Sequence, residues 1–308
     1  MANCGFFVKS YTLYLYKGGA HLKGNEYSEL YDSYENVVLP RRHWWQINLK
    51  ALWRYRDLIT LFVKRSFVTQ YKQTVLGPLW AIIQPILTTL VFTVVFGNIA
   101  GLAPSGVPKF AFYFCGYILW SYFASCLTAT SNTFISNAHI MGKAYFPRLC
   151  VPISTAISQL ISFAIQFVLF MGIWVYYYAT YGSVKVTAYV FMAPLLILQM
   201  ALLSMGVGVI VSSLTTKYRD LTHLVSFGVQ LWMYASPVAY DTSKFERFGF
   251  LFKYNPVTPV INTFRLALLG VGEFQPVQYA ISVAVTLIVF VLGVILFNKV
   301  EKNFTDTV

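Results

Sequence analysis

The sequence predicts an all-α polytopic membrane protein with about six transmembrane helices, an N-terminal amphipathic interface helix, and re-entrant half-helices between helices five and six. Its composition is the first indication: 57% of the 308 residues are hydrophobic, 11% are charged and the mean hydropathy is +0.60. Soluble domains carry about 25% charged residues. The second indication is a series of windows, each long enough to cross a bilayer, that contain no Asp, Glu, Lys or Arg.

These windows determine the predicted spans. A bilayer core of about 30 Å needs about 20 helical residues. Charge-free windows of that length cover residues 74–108, 110–142, 149–184, 186–216, 221–240 and 274–298. So many long apolar segments cannot all be interior helices of a soluble chain of this size. We therefore predict spans over about 78–98, 110–134, 152–178, 187–213, 221–239 and 277–298.

The segment before the first span is amphipathic. At 100° per residue, Lys50, Arg54, Lys64 and Lys72 fall on one face, whereas Leu52, Phe62 and Phe67 fall on the opposite face. A helix with one basic and one apolar face is suited to the headgroup layer of a membrane. We therefore divide the chain into an N-terminal cytoplasmic extension (1–48), an amphipathic interface helix (49–73) and a transmembrane domain (74–308).

The distribution of Lys and Arg predicts the orientation. Cytoplasmic segments carry an excess of both, and the N-terminal segment is rich in them. An even number of spans then places both termini in the cytoplasm. The segment 241–276 weakens this pattern, because it lies outside in this topology and still holds Lys244, Arg247, Lys253 and Arg265. The basic N-terminal segment decides the predicted topology.

The segment 241–276 is also too charged for an ordinary span. Its two apolar pieces, about 244–252 and 259–270, are separated by Asn255-Pro256 and Pro259. Apolar pieces of about 10–14 residues indicate re-entrant or interfacial segments, and an amphipathic surface loop is the alternative. Irregular backbone is tolerated at membrane depth only where protein or a cavity surrounds it.

Some kinds of chemistry have no support in the sequence. The predicted spans have no charged residue in their interior, which disfavours an ion-coupled carrier. The chain has no Gly-x-x-x-x-Gly-Lys-Ser/Thr motif, so we do not expect it to hydrolyse ATP itself. Its histidines and cysteines lack metal-ligand spacing. By contrast, 18% of the residues are aromatic, and several aromatic side chains fall within spans, where they could stack on sugar rings.

Four segments together resemble a known family. They are "YRDLITLFVKRSFVTQYKQTVLGPLWAIIQP", "KYRDL", "LWMYASPVAY" and "YNPVTPVINTFRLALLG". Their order and spacing resemble the membrane subunits of type-2 ABC exporters for polysaccharides, and among these the permeases for O-antigen, teichoic acid and capsule. The resemblance runs from about Leu49 to the C-terminus.

The resemblance implies a homodimer that works with two separate ATPase subunits, which would bind ATP and Mg²⁺; no cofactor is expected in this chain. It implies that helices one, two and five enclose the polymer channel, for which we select Phe92, Tyr117, Trp232 and Tyr234. It also implies an outer gate near Asn255, Pro256, Pro259 and Arg265. The residues expected to couple the chain to the ATPase are Arg54, Arg56, Lys143, Arg148, Lys217, Arg219 and Asp220.

The expected function is therefore ATP-driven export of a lipid-linked, O-antigen-like polysaccharide outward across the bacterial cytoplasmic (inner) membrane. Two alternatives remain at this point. One is an exporter of this type for teichoic acid, capsule, lipid or drug, and the other is a membrane enzyme that acts on lipid-linked sugars. The expected partners are the ATPase, a second copy of the chain, the membrane and the glycan, without nucleic acid.

Overall fold

Helices form nearly all of the regular structure. The computed structural model describes residues 49–304 except 73, 142–145, 183–185, 216–217, 219 and 243–248, and within these residues it contains no β-strand. The predicted extension, 1–48, lies outside the described residues. We number the helices α1 (Leu49–Arg54), α2 (Arg56–Tyr71), α3 (Trp80–Phe92), α4 (Lys109–Ser131), α5 (Thr133–Met141), α6 (Cys150–Tyr181), α7 (Ala193–Thr215), α8 (Leu221–Tyr234), α9 (Gly249–Tyr254), α10 (Val257–Leu269) and α11 (Pro276–Phe304).

Within the described residues, five helical segments are long and apolar enough to cross a membrane, which confirms the all-α polytopic class. They are Gly77–Ile99, Lys109–Ser131, Cys150–Thr180, Ala188–Thr215 and Pro276–Val300. The first contains α3 and a short π-helix, Thr93–Ile99, that continues it. Each segment overlaps one of the predicted spans, because the exclusion of charge from the bilayer marks such segments directly in the sequence.

The fifth predicted span differs from the structure. Its helix, α8, has 14 residues and ends at Tyr234 rather than near residue 239. A helix of that length rises about 21 Å, which is less than a bilayer core. Residues 235–240 form turns instead. The side chains of Arg265 on α10 and of Asn255 before it bond to these turns and replace helical hydrogen bonds there.

The helix α4 is at the centre of the described structure. It packs against α3, α6, α7, α8 and α10, and 78% of its spanning segment is buried, against 22% for Gly77–Ile99. Beside it, α7 and α11 cross at very short range. A Cβ atom added to Gly206 would lie 2.8 Å from the Cα of Phe290. Glycine is therefore needed at this crossing for α7 and α11 to pack as they do.

The amphipathic segment forms two helices, α1 and α2, which are separated at Tyr55. Its apolar side packs on protein: the rings of Phe62 and Phe146 are 5.6 Å apart, and the Tyr71 hydroxyl lies 3.2 Å from Ser162 Oγ on α6. With 32 residues, α6 is about 48 Å long and exceeds a bilayer core by about 18 Å. Ser162 lies about that distance from the start of α6, so α2 packs along its extra length.

Candidate translocation path and the clamp beside it

The segment before the last span folds as two short helices, as its apolar pieces predict. They are α9 and α10, joined through Asn255 and Pro256. With 13 residues, α10 rises about 20 Å and is too short to span a bilayer core. Val260, Ile261 and Phe264 are nevertheless completely buried. The surrounding helices therefore enclose α10, which is the condition for irregular backbone at membrane depth.

Asn255 joins the end of α8 to the start of α10. Its Nδ2 donates to the carbonyl of Ala235 at 3.1 Å and to the hydroxyl of Ser236 at 2.9 Å. Its Oδ1 accepts the indole N–H of Trp232 at 3.2 Å and the backbone N–H of Val257 at 3.1 Å. The side chain thus satisfies groups that the end of one helix and the start of the next leave unpaired.

Arg265 holds the turns that follow α8. Its guanidinium donates to the carbonyl of Pro237 at 2.5 Å and to that of Val238 at 2.7 Å, and it stacks on Phe112, 3.8 Å from the ring centroid. The side chain is 2% exposed. A buried cation is tolerated when it is hydrogen-bonded and compensated, and Asp241 supplies an attracting charge. We call Arg265, Asn255 and the carbonyls they bind the clamp.

Further hydrogen bonds fix α10 at both ends. At its start, Ser282 on α11 donates to the carbonyl of Pro256 at 2.5 Å, and Gln199 on α7 donates to Ser282 at 2.7 Å. At its C-terminal end, the Trp174 indole donates to the carbonyl of Leu268 at 2.7 Å and the Thr187 hydroxyl to that of Leu266 at 2.8 Å. The end of α8 and all of α10 are therefore bonded into the helices around them.

The structure brings the four predicted gate residues together at this place. Asn255 is 9% exposed, Arg265 is 2% exposed, Pro256 supplies a carbonyl to the network, and Pro259 is buried in the first turn of α10. Proline fits a first turn because it has no N–H to leave unpaired there. These residues are anchors inside the subunit, and their role as a gate stays a prediction.

Three of the four predicted channel residues lie in α4 or pack against it. Phe92 and Tyr117 are 6% and 9% exposed, and their rings are perpendicular at 6.1 Å. Trp232 packs edge-on against Phe123 at 5.1 Å. Tyr234 is different, because half of it is exposed. Within one subunit, Tyr234 alone of the four presents a wide surface, and channel lining stays a prediction for all of them.

The predicted coupling residues are more dispersed. Lys143, Lys217 and Arg219 lie outside the described residues. Arg54 is exposed, Arg56 is an exposed partner of Asp57 at 3.8 Å, and Asp220 is exposed directly before α8. Arg148 is 7% exposed and is enclosed with Phe146 and Leu149. Among the predicted coupling residues that the structure describes, a partner protein could therefore reach Arg54, Arg56 and Asp220.

Gly116 is a site residue that the sequence analysis missed. It lies in α4 against Arg265, and a Cβ atom at this position would overlap the guanidinium. The signal was present, since a lone glycine within the bulky run "FAFYFCGYILW" indicates a close approach by another group. The sequence does not indicate that an arginine 149 positions later is that group.

The fold and the clamp define a class: an α-helical polytopic membrane protein built on one aromatic central helix, with a short buried helix pair before its last span. Comparison with known proteins makes the class specific. The family described as ABC-2 type transporter matches residues 57–269, and the chain therefore belongs to that family. Among the described residues, no group of His, Cys, Asp and Glu is arranged to hold a metal ion.

Its curated relatives carry one name. The chain is 27% identical over 252 residues to an O-antigen export system permease protein RfbA of Klebsiella pneumoniae, a match that covers 81% of this chain and 94% of that protein. A second Klebsiella pneumoniae protein of the same name is 26% identical over 253 residues. The Myxococcus xanthus protein of that name is 23% identical over 266 residues, covering 84% of this chain and 98% of the relative.

Proposed function

We propose that this chain is the transmembrane subunit of an ATP-driven exporter that moves a lipid-linked, O-antigen-like polysaccharide outward across the bacterial cytoplasmic membrane. The observation that carries the proposal is the match to O-antigen export permeases over nearly their whole length. The family membership supports an ABC ATPase as the partner that binds ATP and Mg²⁺. The working unit in this proposal is a dimer of the chain with its ATPase, with all termini cytoplasmic.

The surface of the subunit fits a sliding polymer. A polymer longer than the membrane is thick needs a continuous path of many weak contacts. Aromatic contacts are worth about 0.5–1.5 kcal/mol, and contacts of that size can be released and made again. On α8, Phe227, Leu231 and Tyr234 are at least half exposed and lie on one side of the helix. This side of α8 is the described surface that we assign to the path.

Deletion of the gene tests the proposal as a whole. The glycan should still be made but should remain on the cytoplasmic side, where it is detected only after the cells are opened. Restoring the chain together with its ATPase should restore surface glycan, whereas an ATPase variant that binds ATP without hydrolysing it should not. Wild-type surface glycan in the deletion strain, in the absence of a redundant exporter, would refute the exporter function. Covalent turnover by the purified chain alone would favour the enzyme alternative.

The orientation has its own test. In the proposed topology, single cysteines at Lys143, Lys217 and Lys302 are protected from an impermeant thiol reagent added outside the cell. A cysteine at Lys253, which is exposed in the structure, should label. Labelling of the Lys217 position from outside would reverse the topology without affecting the family assignment.

The turn before α8 tests coupling to the ATPase. Arg219→Ala and Asp220→Ala should reduce export and leave membrane insertion intact, because removing one member of a partly buried charge pair at an interface costs much more than removing an exposed one. Glu273→Ala is a matched control, since Glu273 is exposed and lies outside the cell in the proposed topology, where the ATPase cannot reach it. Normal export by both turn variants would make this turn a simple linker.

A further inference from the structure

A row of polar side chains marks the accessible strip of α4. The positions that are not buried include Ser121, Ser125 and Thr128 in its second half and Asn132 directly after it, and Ser125 is exposed. Their spacing of four, three and four residues places them on one side of the helix. A side that faces lipid is expected to be apolar, because hydrocarbon offers no hydrogen bonds. Asn132 donates to the carbonyl of Thr128, and the rest of the strip matches a polar neighbour better than lipid.

The direction of this strip follows from the ring contacts of α4. Tyr117 contacts Phe92 of α3, and Tyr122 contacts Phe163 of α6. At 100° per residue, Ser125 lies about 80° from Tyr117 and about 60° from Tyr122, between the two. The polar strip consequently faces the gap between α3 and α6.

A second polar row, on α6, borders the same gap. Ser162 is 8% exposed and Gln166 is 7% exposed. Ser162 bonds to Tyr71 at the end of α2, whereas Phe163 faces α4. Gln166 lies between these two directions, about 40° from Ser162 and about 60° from Phe163. The gap is thus bordered by α2, α3, α4 and α6.

Two polar atoms at this gap have no hydrogen-bond partner within the described part of the chain. They are Gln166 Oε1 on α6 and Thr89 Oγ1 on α3 beside Phe92. Serine and threonine in helices often bond to the carbonyl three or four residues earlier, as Thr155 does. Thr89 does not, and leaving a buried polar group unpaired is unfavourable. A ligand with donors and acceptors would remove that cost.

We propose that the gap between α2, α3, α4 and α6 is a polar site for a neutral, hydroxyl-bearing ligand, either water or a sugar ring. The described side chains named at the gap are hydroxyls and amides and carry no charge, which favours a neutral ligand over an ionic one. Buried water occupies polar sites where it finds two to four partners, and sugar hydroxyls offer the same chemistry. The sugar alternative rests on the proposed export function, whereas the water alternative does not.

Reaction of introduced cysteines with a charged methanethiosulfonate reagent tests the site. The thiolate is the reacting form, and it requires water. In the full complex with Cys4 replaced by Ala, Ser125→Cys and Thr128→Cys should react at least about tenfold faster than Val168→Cys and Leu198→Cys. The two control positions are 71% and 54% exposed on apolar helices. The native cysteines 115, 126 and 150 are buried and provide the background rate for subtraction.

The outcomes separate the alternatives. If a stalled glycan within the complex slows the reaction at Ser125→Cys, the ligand includes a sugar ring; an unchanged rate means water. Reaction at Ser125→Cys as slow as at Val168→Cys overturns the polar site, even where deletion of the gene abolishes surface glycan. If Ser125→Cys reacts fast but deletion of the gene leaves surface glycan unchanged, the water site is supported and only the exporter function is refuted.

Discussion

Gly116 provides the sharpest test of the clamp. It is the position in α4 where the Arg265 guanidinium approaches the helix backbone, and a Cβ atom there would overlap Nη2. In Gly116→Ala the guanidinium must move, although its hydrogen bonds to the carbonyls of Pro237 and Val238 leave little freedom. We expect the turn after α8 to lose its anchor.

The expected cost combines two losses and one gain. Overpacking in a well-packed interior costs about 1–3 kcal/mol, and each hydrogen bond from a charged donor that is lost costs about 1.5–3 kcal/mol. Replacing glycine by alanine within a helix returns about 0.5–1 kcal/mol. The net expected loss is about 2–5 kcal/mol in the free energy of unfolding, from these three effects together.

The chain offers a matched control in Gly228→Ala. Gly228 lies in α8, and a Cβ atom there would meet nothing within 4 Å. Unfolding by denaturant or heat of detergent-solubilised protein should show Gly116→Ala destabilised and Gly228→Ala unchanged or slightly more stable. In an Arg265→Met background, Gly116→Ala should cost much less, because the overlapping group is gone. Equal stability of Gly116→Ala and Gly228→Ala would refute the clamp.

Three further predictions concern other contacts. Asn255→Leu should destabilise the protein by about 2–5 kcal/mol, since it leaves the Trp232 indole and backbone groups unpaired; tryptophan fluorescence during unfolding measures this, and a wild-type midpoint would contradict it. Gly206→Val should prevent the crossing of α7 and α11, because a Cβ atom already meets the Phe290 backbone; size-exclusion chromatography should show aggregated protein, and a monodisperse peak would count against the crossing. Phe62→Ala should weaken the packing of α2 by about 2–4 kcal/mol; limited proteolysis should cut within α2 faster than in the exposed control Leu61→Ala, and equal rates would argue against this contact.

The sequence alone determined where the membrane segments lie. Charge is excluded from the hydrocarbon core, and a helix must be about 20 residues long to cross it, so composition and length suffice to locate Gly77–Ile99 or Pro276–Val300. The break between α9 and α10 was also predictable, because proline disfavours the helical conformation of the residue before it and Asn255-Pro256 stands between two short apolar pieces. These features depend on neighbouring residues only.

Tertiary structure decided what the polar residues do. Arg265 and Asn255 bind carbonyls 20 to 28 positions earlier. These bonds accompany the end of α8 at Tyr234, within a segment whose composition predicts a longer helix. The apolar side of α2 is likewise evident from periodicity, but its partner, α6, is not. Helical periodicity reports which residues share a face, whereas the group that meets that face comes from a distant part of the chain. For this reason the clamp, the need for glycine at position 116 and the polar gap became visible only once the helices were packed.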